Sequence, residues 1–195
     1  MYIDVWEVLD AANTKPFGIM RFMPGPGVGG HCIPLDPHYL EWKARAFNFR
    51  ARFIELSGEI NRSMPVFVRD KAMRMLNDRS KSLRGSKVLV LGMAYKRDID
   101  DWRESPAIHV IELLEEAGAD AVYHDPYIPE FTEKGHTRQS VALTDDLLKS
   151  LDLVIVTTPH SDFDYQHIVN LSAAVLDTRD VTRHLDISKG NVVRL

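Results

Sequence analysis

The feature that most constrains the fold is a series of short apolar segments that alternates with helical patterns after residue 84. Residues 87–92, 121–124, 153–157 and 174–177 are rich in Val, Leu, Ile and Ala, as buried strands of parallel sheets are. Helical patterns over 107–117 and 145–150 lie between them. Strands that alternate with helices form a parallel sheet with helices on its faces. The sequence therefore predicts an α/β fold with a doubly wound, Rossmann-like parallel sheet over 84–195.

The first 83 residues have a different pattern, which predicts a helical region around a Gly/Pro-rich loop. Asp4 is a candidate N-cap of a first helix, with Glu7 completing a capping box. The apolar face of that helix would consist of Val5, Val8, Leu9 and Ala12. A second helix is predicted to begin with Asp36 as N-cap and Pro37 at the first helical position. The boundary between the helical region, 1–83, and the α/β domain, 84–195, is placed at the turn that precedes the first strand.

A long apolar stripe predicts a contact between subunits. It runs at helical spacing from Phe53 to Met75, and Pro65 lies in its middle, where we expect a kink or two abutting helices. A sheet domain of this size cannot cover the whole stripe as well as its own strands. We therefore expect a homodimer, formed through the helices between Leu40 and Leu76.

The composition argues against several classes of protein. Cys32 is the only cysteine, which excludes an internal disulfide scaffold and favours a reducing compartment. The formal net charge is -4 without basic clusters, which argues against nucleic acid or an acidic membrane surface as a partner. The longest apolar run, 88–95, is far shorter than the roughly 18 residues that a membrane helix needs. Because residues 1–7 carry no signal-peptide pattern, we expect a cytoplasmic protein that does not bind membranes.

Ligands of a doubly wound sheet bind at the carboxyl ends of its strands. In this sequence those positions hold Tyr95 and Lys96, Asp125, Pro159 and His160, and Thr178 and Arg179. Residues 25–30 match the pattern G-x-G-x-x-G, but a dinucleotide fingerprint needs a strand before it and a helix directly after it, and this segment has neither. The strand-to-helix turn at Gly92 has a single glycine. This disfavours the alternative that the α/β domain binds NAD itself, with Asp125 on the ribose.

The segment around Cys32 combines groups that could carry covalent chemistry. A thiol lies beside the amides of a glycine-rich loop and near Asp36, at a helix start whose dipole favours a thiolate. Such groups can attack a carbonyl carbon, stabilise an oxyanion and orient water. The alternatives are that Cys32 is a small buried hydrophobe and that Asp36 serves only as an N-cap. A metal ion on His31, Cys32, Asp36 and His38 is disfavoured because their spacing fits no zinc pattern, and we expect no metal.

Several motifs resemble those of a known family. Residues 24–37, PGPGVGGHCIPLDP, closely resemble the active-site segment of the UDP-sugar 6-dehydrogenases, in the UDP-glucose/GDP-mannose dehydrogenase family. Residues 95–106, YKRDIDDWRESP, resemble a second motif of that family, and YHDP at 123–126 and DTR at 177–179 resemble two more. The resemblance covers nearly the whole chain, in order. The segment GGHC at 29–32 is most similar to the enzymes that act on UDP-N-acetylglucosamine.

The resemblance implies a role for each candidate site residue. Cys32 would be the catalytic nucleophile, and Asp36 would assist the water that releases the product. Lys96 and Arg179 would contact the substrate, and Arg103 would contact NAD. The loop that wraps the substrate would consist of Met23, Pro24, Gly25, Pro26, Gly27, Val28 and Gly29.

The resemblance also implies an NAD-dependent enzyme that oxidises the C6 alcohol of a UDP-N-acetylhexosamine twice, to the uronic acid, through a cysteine thioester. Family members carry an N-terminal Rossmann domain for NAD, a central helical region and a C-terminal α/β domain that holds UDP. Only the second and third are matched here, so we expect NAD to be bound mainly outside this sequence and the chain alone to be inactive. The alternatives are UDP-glucose or UDP-N-acetylmannosamine as substrate, or a non-catalytic UDP-binding and dimerisation module.

Overall fold

A computed structural model describes residues 3–195 of the chain. Met1 and Tyr2, with which the predicted helical region begins, lie outside the described residues. The elements in chain order are α1 (Val5–Asn13), α2 (Asp36–Arg45), α3 (Arg52–Asn77), β1 (Lys87–Leu91), α4 (Pro106–Glu116), β2 (Asp120–His124), β3 (Glu130–Glu133), β4 (His136–Gln139), α5 (Asp145–Ser150), β5 (Leu153–Val156), α6 (Tyr165–Leu171), β6 (Val175–Asp177) and β7 (Val192–Arg194).

Five strands form one parallel sheet in the order β2-β1-β5-β6-β7. The four predicted strands are β1, β2, β5 and β6, and the predicted α/β fold with a parallel sheet is confirmed. The strand order changes direction between β1 and β5, because the chain runs outward to β2 and then returns past β1. In open parallel sheets the ligand crevice lies at such a switch point, outside the carboxyl ends of the strands.

Helices cover both faces of this sheet, as the doubly wound prediction requires. Successive strand residues point to opposite faces, so Val88 and Val90 lie in one core and Leu89 and Leu91 in the other. The first core is closed by α3 and α4, and the second by α5 and α6. Because α3 belongs to the helical region, the carboxyl-terminal half of that helix and the sheet share one apolar core.

The predicted apolar stripe lies on α3, which is a single helix of 26 residues that continues across Pro65. The alternative of two abutting helices is therefore wrong, since the helix continues on both sides of the buried Pro65, at the loss of one backbone hydrogen bond. Val68 and Leu76 are buried against the sheet, whereas Phe53 near the amino-terminal end is 90% exposed. Despite the length of α3, no helix among residues 3–195 is apolar enough to cross a membrane.

Helix α1 begins as predicted but buries a different face. Asp4 is its N-cap and accepts a hydrogen bond from the Trp6 amide at 2.8 Å. The predicted apolar face is wrong: Val5 and Val8 are exposed, and Trp6 is the residue of α1 that is buried. An ion pair contributes to this orientation of α1. Asp4 lies 3.1 Å from Arg194 of β7, so the side of the helix that carries Trp6 faces that strand.

One further prediction about the local structure is corrected, and four elements were not predicted. The N-cap of α2 is Leu35, and Asp36 is the first helical residue, because the carbonyl of Cys32 accepts the amides of both Leu35 and Asp36. The β3–β4 hairpin, α6 and β7 were not predicted. The strands β3 and β4 are largely polar, and β7 and α6 have only three and seven residues, which is too short for a strand or helix period to stand out.

Candidate active site

The glycine loop, residues 23–30, lies directly against Arg179 of the α/β domain. A Cβ atom added at Gly25 would be 2.2 Å from Nη1 of Arg179. Any other residue at position 25 would therefore have to displace the guanidinium. The loop from the helical region and the residue that follows β6 thus form opposite sides of one site, which unites two of the predicted substrate contacts.

The rest of the glycine loop is fixed by contacts that leave little freedom. A Cβ at Gly29 would lie 2.6 Å from the carbonyl oxygen of Glu104 and 2.8 Å from Cβ of Tyr95. From the other side, the Val28 amide donates to Oδ1 of Asn61 on α3 at 2.7 Å. Asn61 was not predicted as a site residue, because a single polar residue within a helical stripe carries no motif signal. The loop is therefore held between α3 and the segment that carries Tyr95.

Arg179 provides a cation without a protein partner. Its backbone amide donates to the buried carboxylate of Asp177 at 2.9 Å, which fixes the turn after β6. Among residues 3–195, no side chain or carbonyl oxygen forms a hydrogen bond or ion pair with its guanidinium. Burial lowers the pKa of Arg179, and the nearby charge of Asp177 opposes that effect. A partly buried guanidinium beside a glycine-rich loop is suited to bind an anion such as a diphosphate.

The candidate thiol and carboxylate both lie at the entrance to α2. Cys32 is exposed, so the alternative of a small buried hydrophobe is wrong. Its carbonyl accepts the Asp36 amide at 2.8 Å, which builds the turn into the helix. Since the Asp36 side chain caps nothing, the N-cap explanation of that residue is also wrong. Both reactive groups are therefore accessible, Cys32 in the bend before α2 and Asp36 at the first residue of the helix. In residues 3–195, no three His, Cys, Asp or Glu side chains converge as a metal ion requires.

Arg103, the predicted NAD contact, is engaged within its own motif. Nε and Nη2 of Arg103 donate to the two oxygens of Asp101 at 2.9 and 2.8 Å. This pairing lowers the pKa of Asp101 to about 2, and His31 adds a smaller favourable charge interaction. His31 precedes Cys32, so the Arg103 motif lies near the thiol segment. An anionic ligand at Arg103 would have to share the guanidinium with Asp101.

Three residues predicted to line the crevice at the strand ends do not do so. One is Thr178, which is fully buried and whose hydroxyl donates to the Val156 carbonyl at 2.6 Å. Asp125 and His160 are buried, and His160 Nε2 lies 2.9 Å from Asp125 Oδ2. The same oxygen accepts the amides of Met93 and Ala94 at 2.5 and 2.8 Å. Both side chains are turned inward because each satisfies the other and the backbone of the neighbouring strand end. Of the predicted crevice residues, Lys96 is exposed and Arg179 is partly buried.

The backbone amides that follow β1 already have an acceptor within the protein. The amides of Met93 and Ala94 follow β1, where nucleotide-binding sheets present amides to a phosphate, and here the Asp125 carboxylate occupies them. A Cβ at Gly92 would be 2.5 Å from the carbonyl oxygen of Thr158, so the neighbouring strand end closes the switch point. This geometry argues against the alternative that places Asp125 on the ribose of NAD.

The fold and this site together define a nucleotide-binding α/β protein with a thiol-bearing helical region. Residues 1–63 match the model of the UDP-glucose/GDP-mannose dehydrogenase family, central domain, and residues 89–184 match the UDP binding domain of the same family. The chain belongs to the UDP-glucose/GDP-mannose dehydrogenase family.

Relatives and solved structures agree with this family. A UDP-N-acetyl-D-mannosamine dehydrogenase of Methanocaldococcus jannaschii is 32% identical over 187 residues, 92% of this chain and 40% of the relative. One from Escherichia coli K12 is 34% identical over 167 residues, 83% of this chain and 39% of the relative. The structure of NDP-N-acetyl-D-galactosaminuronic acid dehydrogenase from Methanosarcina mazei superposes with a TM-score of 0.82 at 26% identity, over 99% of this chain and 43% of that one. The chain thus spans about two fifths of the length of these relatives.

Proposed function

We propose that this chain is the substrate-binding and thiol-bearing portion of an NAD-dependent dehydrogenase that oxidises the C6 alcohol of a UDP-N-acetylhexosamine to the uronic acid. The observation that carries the proposal is the close approach of Gly25 to the unpaired Arg179, with Cys32 exposed at the start of the next helix. In this proposal the helical region 1–83 supplies the loop and the thiol, and the α/β domain 84–195 supplies the cations for UDP. The oxidant is NAD⁺, held mainly by a domain outside the described residues.

The chemistry assigns a task to each exposed group of the site. Once the alcohol is oxidised to an aldehyde, the Cys32 thiolate adds to its carbon and forms a thiohemiacetal. Removal of a hydride leaves a thioester, which water cleaves to the carboxylate and the free thiol. Asp36 orients and deprotonates that water, and Lys96 and Arg179 hold the substrate. These roles are supported by the exposure of Cys32 and Asp36, which are linked through the hydrogen bond from the Asp36 amide to the Cys32 carbonyl.

The class of substrate is supported by the relatives named above. Two of them are named for UDP-N-acetyl-D-mannosamine and one for an N-acetylgalactosaminuronic acid. The N-acetylhexosamine class is common to these names, whereas the glucosamine preference drawn from GGHC stays a prediction. A completed enzyme can be made by fusing this chain to the amino-terminal portion of the M. jannaschii relative, which this chain does not cover. This enzyme should reduce NAD⁺ faster with UDP-N-acetylhexosamines than with UDP-glucose.

The chain alone should bind UDP or a UDP-sugar weakly and NAD not measurably. Calorimetric titration with UDP, the N-acetylglucosamine and N-acetylmannosamine derivatives, and NAD would test this. Tight NAD binding without UDP binding would contradict the proposal. UDP binding by a completed protein that oxidises no sugar would instead favour the non-catalytic module.

Arg179→Ala should weaken UDP binding by about 10- to 100-fold, because the partly buried guanidinium loses its charge-assisted hydrogen bonds to the diphosphate. Gly25→Ala should weaken it by about tenfold, because the added Cβ overlaps Nη1 of Arg179. Lys149→Ala, which removes an exposed lysine of α5, is the matched control and should leave the dissociation constant unchanged. Full UDP affinity in Arg179→Ala would place the diphosphate elsewhere.

We also propose a homodimer formed through the exposed apolar side chains of α3 between Phe53 and Phe67. Phe53, Leu56, Ile60 and Phe67 are all exposed large hydrophobics on this helix. A stripe of this kind on a folded chain marks an interaction surface, and the predicted self-association would cover it. Val68 and Leu76 of the same helix do not belong to this surface, because they pack on the sheet.

The double substitution Phe53→Glu/Leu56→Glu should convert a dimer to a monomer, raising the dissociation constant about a hundredfold or more by placing charges in an apolar contact. Analytical ultracentrifugation at micromolar concentration would measure the change. Ile187→Glu, at an exposed apolar position of the α/β domain, is the control and should remain dimeric. A wild-type chain that sediments as a monomer would exclude the proposed dimer.

A further inference from the structure

The segment that follows β1, residues 93–98, is anchored at both ends by one buried pair of side chains. At its start, Asp125 Oδ2 accepts the amides of Met93 and Ala94. At its end, the amide of Asp98 donates to Nδ1 of His160 at 3.0 Å. The two anchors are joined, because His160 Nε2 lies 2.9 Å from the same Asp125 oxygen. A short stretch of chain is therefore clamped between two points on a single Asp–His unit.

These contacts assign the state of the His160 ring. Since Nδ1 accepts the Asp98 amide, the proton of the neutral ring lies on Nε2 and is donated to Asp125. Both ring nitrogens are thus used inside the protein, and the side chain is 0% exposed. Asp98 is fixed further: it has a φ of 60°, and its carboxylate accepts the amide and hydroxyl of Ser161, both at 2.8 Å.

The clamped segment carries one residue that packs on the glycine loop and one that is a proposed substrate contact. Tyr95 packs against the glycine loop, so that a Cβ at Gly30 would be 2.9 Å from its Cε2 atom. Lys96 follows and is exposed, between the two anchors. We propose that Asp125 and His160 are positioning residues for the substrate site, which hold Tyr95 on the glycine loop and direct Lys96 towards the UDP-sugar. This inference rests on the proposed function, because Lys96 is a substrate contact only there.

His160→Gln tests this role, since a glutamine amide can still donate to Asp125 but cannot also accept the Asp98 amide. His136→Gln, at an exposed histidine of β4, is the matched control. We expect faster hydrogen exchange of the amides of 95–98 in His160→Gln, with the strands still protected, and UDP-N-acetylglucosamine binding weakened about tenfold. If that variant does not fold, Ser161→Ala removes one hydrogen bond to the Asp98 carboxylate at an exposed position and should act in the same direction, with a smaller effect.

A thermodynamic cycle with Lys96→Ala separates positioning from general stability. If His160 acts through Lys96, His160→Gln should cause little further loss of affinity once Lys96 is removed. Unchanged exchange at 95–98, or an equal loss of affinity with and without Lys96, would overturn the inference. Failure of the wild-type chain to bind UDP or UDP-sugars, or full affinity in Arg179→Ala, would instead overturn the proposed function and with it the substrate role of the pair.

Discussion

Replacing Cys32 with serine in the completed enzyme is expected to reduce formation of the uronic acid by about three orders of magnitude or more. Serine keeps the shape of the side chain, but its hydroxyl is a far weaker nucleophile towards the aldehyde at neutral pH than a thiolate. Without the covalent adduct, the second oxidation has no thioester to form. Steady-state assays with separate quantification of NADH and uronic acid would measure the loss.

UDP affinity provides the internal control for this variant. Cys32 lies at the entrance to α2, whereas the guanidinium of Arg179 contacts Gly25, so the dissociation constant for UDP should be unchanged in Cys32→Ser. Asp36→Asn should behave differently, because loss of its carboxylate slows thioester hydrolysis and lets the acyl-enzyme accumulate. Wild-type rates of acid formation in Cys32→Ser would remove the thiol from the mechanism.

Asp125→Ala should lower the free energy of unfolding of this chain by about 3–5 kcal/mol. Besides His160 and the amides of Met93 and Ala94, the carboxylate accepts the amides of Tyr127 and Ile128 at 2.8 and 3.1 Å. Its loss leaves buried donors from three strand ends without an acceptor. Asp120→Ala, at the exposed first residue of β2, is the matched control and should unfold like the wild type in a denaturant titration. Wild-type stability in Asp125→Ala would show that water replaces the carboxylate at no cost.

The difference in the free energy of unfolding between the wild type and Asp125→Ala should change with pH in a defined direction. Burial alone would raise the pKa of Asp125, but hydrogen bonds from His160 and the Ala94 and Tyr127 amides outweigh it, so the pKa lies below its ordinary value of 3.8. A carboxyl group with a lowered pKa stabilises the fold above its unfolded-state pKa, and this contribution is lost as the pH falls through the folded-state pKa. The stability difference between wild type and Asp125→Ala should therefore be constant near neutral pH and shrink below about pH 4.

The sequence was sufficient for the features that depend on local pattern. The strands β1 and β5 could be predicted because four or more apolar residues follow one another in each, and α4 because Ser105 and Pro106 start it. The G-x-G-x-x-G match at 25–30 could be recognised as false from its neighbours alone. In each case the physical signal lies within a few residues of the element that it specifies.

Features that depend on distant partners could not be predicted. Asp125 and His160 are 35 positions apart, and each alone resembles a polar residue at the open end of a strand. Similarly, nothing near Trp6 indicates that Arg194 draws α1 onto the sheet with its tryptophan inward. The pairing of Asn61 with Val28 spans 33 positions within an otherwise ordinary helix. All three features depend on hydrogen bonds or ion pairs between residues that are far apart in the sequence.

The carboxylate of Asp125 on the amides after β1 has a thermodynamic consequence. In a sheet whose strand ends are completed by a dissociable nucleotide, stability rises with the concentration of that nucleotide by mass action. In this chain the anion is the Asp125 carboxylate, which is always present. The amides of Met93 and Ala94 are therefore hydrogen-bonded whether or not a nucleotide is bound. Nucleotide is therefore not needed to complete the amides after β1, and on the proposed function a UDP-sugar would stabilise the fold through the glycine loop, Lys96 and Arg179 instead.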